Sequence, residues 1–226
     1  MILCCGEALI DMIPGQTTAG AEAFVPHCGG AIFNTSIALG RLGAKAGLLT
    51  GLSRDMFGGQ LTEALEASGV DTSALIYSDR PTTLAFVRLF DGNATYSFFD
   101  ENSAGRMLTP GDLPRLSPDV SALYFGGISL ACEPGADAYA ALLQDQGEGR
   151  AVMIDPNIRP NFIRDEAGYR ARLGRMLALA DIVKVSDDDL HWIVPGPLTL
   201  NEKVEALCAK GAGIVIVTRG GEGATG

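Results

Sequence analysis

What most limits the fold of this chain is its alternation of short apolar runs with stretches of helical periodicity. Residues 2–5, 46–52, 122–125, 151–155, 181–185 and 213–218 are mostly apolar and too short for helices, so they read as strands buried on both faces. Helix-like segments lie between them. One runs from Ala31 and is closed by Gly43, with Phe33, Ile37, Ala38, Leu39 and Leu42 apolar on most sides, which predicts a buried helix. Others span 57–68 (stopped by Gly69), 134–146, 166–180 with Tyr169, Leu173, Met176 and Leu177 on one face, and 187–194 (stopped by Pro195). Thr199 and Glu202 form a capping box that opens a further helix through Leu207. Repeated strand–helix units predict an α/β fold with a mainly parallel sheet covered by helices on both faces.

Two places depart from this rhythm. Residues 8–13 continue the first strand after a break at Gly6-Glu7 and end near Asp11, while 14–26 lacks helical periodicity and reads as loop or short strand. Residues 82–90 and 94–99 are strand-like and joined by Asp91-Gly92-Asn93, a strong hairpin signal. A hairpin inside a strand–helix series suggests an antiparallel flap outside the main sheet. With no internal repeat or low-complexity linker, 226 residues fit one α/β domain with a substantial core, or one domain plus a small appendage.

Charge and composition exclude several functions. The net charge of −10 repels polyanions, so nucleic acid is not an expected partner. The five cysteines (Cys4, Cys5, Cys28, Cys132 and Cys208) lack zinc-like spacing, and the Cys4-Cys5 pair sits in an apolar strand as core, consistent with a reducing cytoplasm. No apolar run reaches the roughly 20 residues of a membrane span, and no basic signal-peptide head is seen. Neither a dinucleotide fingerprint, a Walker lysine nor a Gly-x-Ser-x-Gly elbow occurs, and His27 and His191 have no companion at metal-ligand spacing.

Five stretches hold residues suited to chemistry. Gly29-Gly30 before a helix lets a ligand approach the backbone, where the first N–H groups lack intrahelical partners. Asn34, one turn in, aims a donor and an acceptor at the same mouth. A polyhydroxylated ligand would suit this opening; a glycine turn before an ordinary packing helix is the other reading. Asp11 at a strand end is either a ligand-binding carboxylate or a solvated edge residue. In Asp155-Pro156-Asn157-Ile158-Arg159-Pro160 the prolines stiffen a loop whose Arg159 holds either ligand oxygens or a bracing ion pair. Lys184-Val185-Ser186-Asp187-Asp188-Asp189 places a cation and three acids at a helix start, a pattern that capping also explains. Thr218-Arg219-Gly220-Gly221-Glu222-Gly223 follows a strand and could wrap a nucleotide.

Taken together these motifs resemble the ribokinase-like (phosphofructokinase-B) carbohydrate kinases. Gly29-Gly30-Ala31-Ile32-Phe33-Asn34-Thr35-Ser36 with Gly43 is similar to the N-terminal signature of that family, and Gly6-Glu7-Ala8-Leu9-Ile10-Asp11 to its opening strand. Arg54-Asp55-Met56-Phe57-Gly58 resembles its Gly-Asp-Asp-x-Phe-Gly turn, and Asp155-Pro156-Asn157-x-Arg159 its fructokinase branch. Lys184-Val185-Ser186-x-x-Asp189 and Val217-Thr218-Arg219-Gly220-Gly221-x-Gly223 are similar to its nucleotide-side motifs.

The resemblance implies a three-layer α/β sandwich with a small β-strand lid formed by residues of about 12–27 and 82–100 within a single domain, 1–226. It implies an ATP- and Mg²⁺-dependent sugar kinase, foremost a fructokinase making fructose 6-phosphate. A 2-keto-3-deoxygluconate kinase, a nucleoside kinase and a non-catalytic sugar-binding relative stand behind it. Asp11, Gly29, Gly30, Asn34, Phe98 and Arg159 would contact the sugar. Lys184, Ser186, Thr218, Gly220, Gly221 and Gly223 would lie along ATP, and Asp189 would place the metal through water. The exposed face of a lid hairpin could pair two subunits. Ser53, Arg54, Ile32, Ser186 and Asp189 depart from the commoner family residues. The catalytic Gly-Ala-Gly-Asp run is not found, which the resemblance places beyond Gly226 in a C-terminal segment.

Overall fold

The computed structural model describes residues 1–90 and 93–226, so Asp91 and Gly92 of the expected hairpin turn lie outside the described residues. In chain order, β1 (Ile2–Cys5) leads through a buried turn to β2 (Leu9–Gln16) and β3 (Glu22–Gly29). Next come α1 (Ala31–Arg41), β4 (Ala46–Ser53), α2 (Met56–Ala67) and β5 (Leu75–Ser78), then β6 (Leu84–Phe90) and β7 (Asn93–Phe99). The remaining elements are β8 (Ala122–Gly126), α3 (Gly135–Gln146), β9 (Ala151–Asp155), α4 (Glu166–Leu177), β10 (Ile182–Ser186), α5 (Asp187–Ile193), α6 (Leu200–Cys208), β11 (Ile214–Thr218) and β12 (Ala224–Thr225).

The large sheet has the order β12-β11-β10-β9-β8-β1-β4-β5 and is parallel except for β12. Alternation of side chains along its strands feeds two cores. Leu3, Cys5, Phe125, Ile154, Val183, Val185, Val215 and Val217 pack on one side with side chains of α3, α4, α5 and α6. Cys4, Leu48 and Leu52 pack on the other with Ile32 and Phe33 of α1 and Leu61 and Leu65 of α2. All eight residues of β4 are buried, as a central parallel strand requires. Helices therefore cover both faces, but the second face is sheltered around β8, β1, β4 and β5. Toward the β12 edge Ile214 on the same sheet stays 51% exposed.

A second, four-stranded sheet has the order β3-β2-β6-β7. It pairs β2 with β3 and β6 with β7 antiparallel, and β2 with β6 parallel. The stretch 14–26 is thus a full hairpin with its turn near Thr17 to Ala21, where Ala21 N–H donates to Thr17 Oγ1. The absence of helical periodicity there reflected an exposed two-stranded ribbon, whose pattern is weak because neither face is deeply buried. The break at Gly6-Glu7 is a change of sheet: β1 belongs to the large one and β2 to the small one. Asp11 is consequently interior to β2, which runs on to Gln16, and does not end a strand of the large sheet.

The helix at Ala31 is also less enclosed than its composition suggests. Only Ile32, Phe33 and Ser36 of α1 are buried, and Leu42 just beyond it is 83% exposed. An apolar residue on a helix need not be inside. The capping box at Thr199 forms as expected, with Glu202 accepting from Thr199 N–H and the Thr199 hydroxyl accepting from Glu202 N–H. Strand β5 had no signal strong enough to separate it from the loop after Gly69.

Candidate active site

Strand order in the large sheet reverses at β1: the chain goes outward through β4 and β5, then returns to β8 and proceeds the other way. Such a switch point leaves a crevice beyond the carboxyl ends of the two strands. A cleft of about 740 Å³ lies there, between those strand ends and the small sheet. It is lined by Asp11, Gly30, Asn34, Phe98 and Arg159 among the residues expected to touch sugar. Residues distant in sequence are brought together here by four separate elements.

Asp11 projects from β2 on the face shared with Phe98 of β7. Burial pushes its carboxyl upward, partly offset by the charge of His27. No donor among the described residues bonds either oxygen. A partly buried carboxylate without protein donors is suited to accept hydrogen bonds from hydroxyls. Gly29 does not line the cleft. It sits in β3 opposite Leu9, and a Cβ there would fall 2.1 Å from Asp11 Oδ2, so it gives Asp11 its room. Gly30 does line the cleft with φ of 105°, and a Cβ would come within 2.8 Å of the Glu7 carbonyl oxygen. A side chain there would both strain the backbone and block the turn into α1.

The free N–H groups expected at the mouth of α1 are largely taken. Ala31 N–H donates to Glu7 Oε1 at 3.0 Å, and Phe33 N–H donates to the Glu7 carbonyl at 3.1 Å. The helix end is therefore capped from within the protein, and Asn34, exposed one turn along, is left as the ligand-facing group. Glu7 stood in the sequence only as part of the Gly6-Glu7 break and the opening-strand motif, and nothing there marked it as an internal helix cap.

Across the cleft the segment after β9 turns through Asn157, whose φ is 43°. Arg159 has no ion-pair partner among the described residues; its Nη1 donates only to the adjacent Ile158 carbonyl at 3.0 Å. The bracing ion pair falls instead to Lys184 and Asp155, 2.7 Å apart. Phe162, which follows Arg159 in a short 3₁₀ turn, packs edge-on against Phe98 with ring centroids 4.6 Å apart, and Tyr96 stacks on Phe98 at 5.9 Å. This aromatic contact joins the small sheet to the β9 loop over the cleft. A deeper pair, Asp100 and Arg106, is 2.6 Å apart and nearly buried at its edge. The long segment after β7 offered no periodicity from which to read it.

The residues expected along ATP are not in this cleft. They lie at the carboxyl ends of β10 and β11, next along the same sheet edge. Lys184 is committed to Asp155, and the Ser186 hydroxyl caps α5 by accepting from Asp189 N–H. Asp189 is 7% exposed and accepts from Ile158 N–H at 3.1 Å, so it braces the β9 loop rather than presenting a free carboxylate. Thr218 Oγ1 donates to the Val185 carbonyl, and Gly220, Gly221 and Gly223 form an open turn in which an added Cβ would meet nothing within 4 Å. Exposed backbone of that kind fits a nucleotide lying along it. Among the described residues no group of three His, Cys, Asp or Glu side chains is placed to hold a metal ion.

The family pattern described as pfkB family carbohydrate kinase matches residues 1–225. The chain is 51% identical to a fructokinase of Rhizobium leguminosarum bv. trifolii, over 100% of its own length and 69% of the relative's. It superposes with a TM-score of 0.84 on the fructokinase with bound ATP from Xylella fastidiosa, at 28% identity over 96% of this chain and 71% of that one. It also superposes with a TM-score of 0.83 on a Vibrio cholerae O395 fructokinase in its fructose, ADP and calcium ion bound form, at 27% identity over 99% and 71% of the two chains.

Proposed function

Since the chain belongs to the pfkB family of carbohydrate kinases, we propose that it is an ATP-dependent fructokinase converting D-fructose to fructose 6-phosphate. The observation that carries this is the unpartnered Asp11 carboxylate facing Asn34 and Arg159 in a cleft roofed by Phe98. The Asp11 carboxylate accepts hydrogen bonds from sugar hydroxyls, the Asn34 amide offers a donor and an acceptor, and Arg159 donates to ring or hydroxyl oxygens. Gly30 keeps the α1 entrance low enough for the sugar to approach. The four strands β2, β3, β6 and β7 act as a lid on a single domain, with Phe98 excluding water from the reacting hydroxyl.

ATP supplies the phosphoryl group, and Lys184, Ser186, Thr218, Gly220, Gly221 and Gly223 would hold it along the β10–β11 edge. Mg²⁺ is the expected divalent ion, but the side chains present do not form a cage for it. Asp189 is engaged with the β9 loop and leaves at best a contact through water, so no step is derived through the metal. Positioning and charge stabilisation, which dominate phosphoryl transfer, fall to the cleft residues on the sugar side. No acid described here is assigned as the base.

A sugar acid such as 2-keto-3-deoxygluconate is the second reading, favoured by the unpaired guanidinium of Arg159. Two subunits would pair through the lid, where Phe24, Phe86 and Phe99 form an aromatic run and Phe24 and Phe99 are 44% and 59% exposed. Free cysteines and the absence, among the described residues, of a helix long and apolar enough to cross a membrane fit a cytoplasmic setting. A coupled ADP-release assay on the full-length protein, offering fructose, 2-keto-3-deoxygluconate and ribose at equal concentration, tests the assignment. Fructose should give the largest kcat/KM; preference for the keto acid would transfer the assignment to the second reading.

A further inference from the structure

Glu7 stands at the switch point, between the end of β1 and the end of β8, and is 9% exposed. Besides the two α1 N–H groups it receives, its Oε2 lies 2.8 Å from Ser129 Oγ and 3.3 Å from Ser129 N. The backbone after β8 wraps the carboxyl closely: at Gly127, with φ of 71°, a Cβ would fall 2.2 Å from Glu7 Oε1. One side chain thus ties α1, the turn after β8 and the crossing from the large sheet to the small one.

The protons in this joint can be counted. Ser129 Oγ is also 2.7 Å from the Gly126 carbonyl oxygen. A hydroxyl has one proton, so it cannot donate at full strength both to Gly126 and to an ionised Glu7. If Glu7 is ionised, the two short oxygen–oxygen contacts must share one proton, and at least one of them is a weakened hydrogen bond. If Oε2 carries a proton, every contact becomes a hydrogen bond. Oε2–H then donates to Ser129 Oγ, the Ser129 hydroxyl donates to Gly126, and Ser129 N–H donates to the Oε2 lone pair.

We propose that Glu7 is held as a neutral carboxylic acid at neutral pH and, in that form, is the positioning residue that fixes the α1 entrance and Asn34 at the floor of the cleft. The surroundings agree. Burial pushes the Glu7 carboxyl upward, against the pull of the hydrogen bonds from Ser129 and Ala31. The helix end also favours the charged form, but a helix end returns less than removal from water costs. Facing Glu7 are Tyr124 of β8, Tyr139 of α3, Cys132, Asp11 of β2, and Asp100 with Arg106 from the segment after β7; Arg159 lines the far wall. Of the two cations, Arg106 is paired with Asp100 and neither makes an ion pair with Glu7. The positioning half of the proposal rests on the sugar-kinase reading; the protonation half does not.

The test is a pH titration by carbon NMR of protein labelled at the glutamate carboxyl carbons. One resonance should remain in the carboxylic-acid position at pH 7 and be missing from the Glu7→Gln variant. If that variant does not fold, Ser129→Ala, which removes the acceptor of the proton, should shift the same resonance while leaving the others in place. Titration of every glutamate below about pH 5, as for free carboxyls, would overturn the proposal. For the positioning role, Glu7→Ala should weaken fructose binding at least about tenfold and Glu7→Gln should restore most of it. Wild-type affinity should fall as Glu7 ionises on raising the pH, and the Glu7→Gln variant should lack that fall. Equal losses in both variants would show that the charge is needed and refute the neutral form as the working one. A wild-type protein that binds no fructose at any pH would refute the sugar reading alone, because the carbon titration still decides the protonation state.

Discussion

Replacing Asp11 by Asn should weaken sugar binding while strengthening the fold. The carboxylate lies on β2, partly buried and without a protein donor, and its pKa is raised by that burial with some relief from His27. The folded protein therefore holds a proton on Asp11 more tightly than the unfolded chain does. Its ionisation detracts from stability as pH rises through the unfolded value of about 3.9, and the deficit is complete above the folded value. Asparagine has the same shape and no charge, so Asp11→Asn should raise the urea midpoint at pH 7, and the gain should vanish near pH 3. Binding should move the other way. Charge-assisted hydrogen bonds to sugar hydroxyls are worth about 1.5–3 kcal/mol, so their loss lowers fructose affinity roughly 10- to 150-fold by calorimetry. ATP affinity should change little, because the nucleotide candidates sit at β10 and β11. An unchanged fructose affinity would make Asp11 a mere strand residue, and a lowered urea midpoint at pH 7 would refute the burial argument.

Asp55 should behave oppositely. Burial alone would raise its pKa, but hydrogen bonds from Thr82, Gly58 and Ser53 outweigh it and hold the carboxyl low. It caps α2 and also fastens Thr82, at the entrance to β6, through Thr82 N–H and the Thr82 hydroxyl. Asp55→Ala should cost about 2–4 kcal/mol in urea unfolding at pH 7. That contribution is present above the unfolded pKa and lost as pH falls through the folded one, so variant and wild type should converge in acid. Arg172 is 4% exposed, pairs with Glu133 and Asp137, and leaves its Nε buried without a partner. Arg172→Met should therefore lie within about 1 kcal/mol of wild type, whereas Arg172→Ala, which adds a cavity, should lose about 2–4 kcal/mol.

The parallel sheet was legible because buried parallel strands read as unbroken apolar runs, and 46–52 needs no context to be placed. The small sheet was half legible. Asp91-Gly92-Asn93 marked one hairpin, but 14–26 carries Pro14, Pro26 and little alternation, and only the antiparallel pairing of β3 with β2 reveals a strand. Of the residues expected on the sugar side, the cleft gathers Asp11, Gly30, Asn34, Phe98 and Arg159, and Gly29 stays in β3. What the motifs could not convey was which partners each polar group already has. Lys184 is spent on Asp155, Asp189 on Ile158, and the α1 N–H groups on Glu7. Those pairings join segments some 24 to 31 residues apart, and no local pattern encodes them. Asp100 and Arg106, only six residues apart, were missed for a different reason: an irregular segment gives no period from which to infer which side chains turn inward.

The most direct measurement is a crystal structure of the protein with fructose. The sugar should lie between α1 and the small sheet, with hydroxyl oxygens within hydrogen-bonding distance of Asp11 and Asn34, Arg159 at its edge and the Phe98 ring over it. Fructose bound elsewhere, or lying in the cleft with the Asp11 carboxylate still without a donor, would contradict this arrangement.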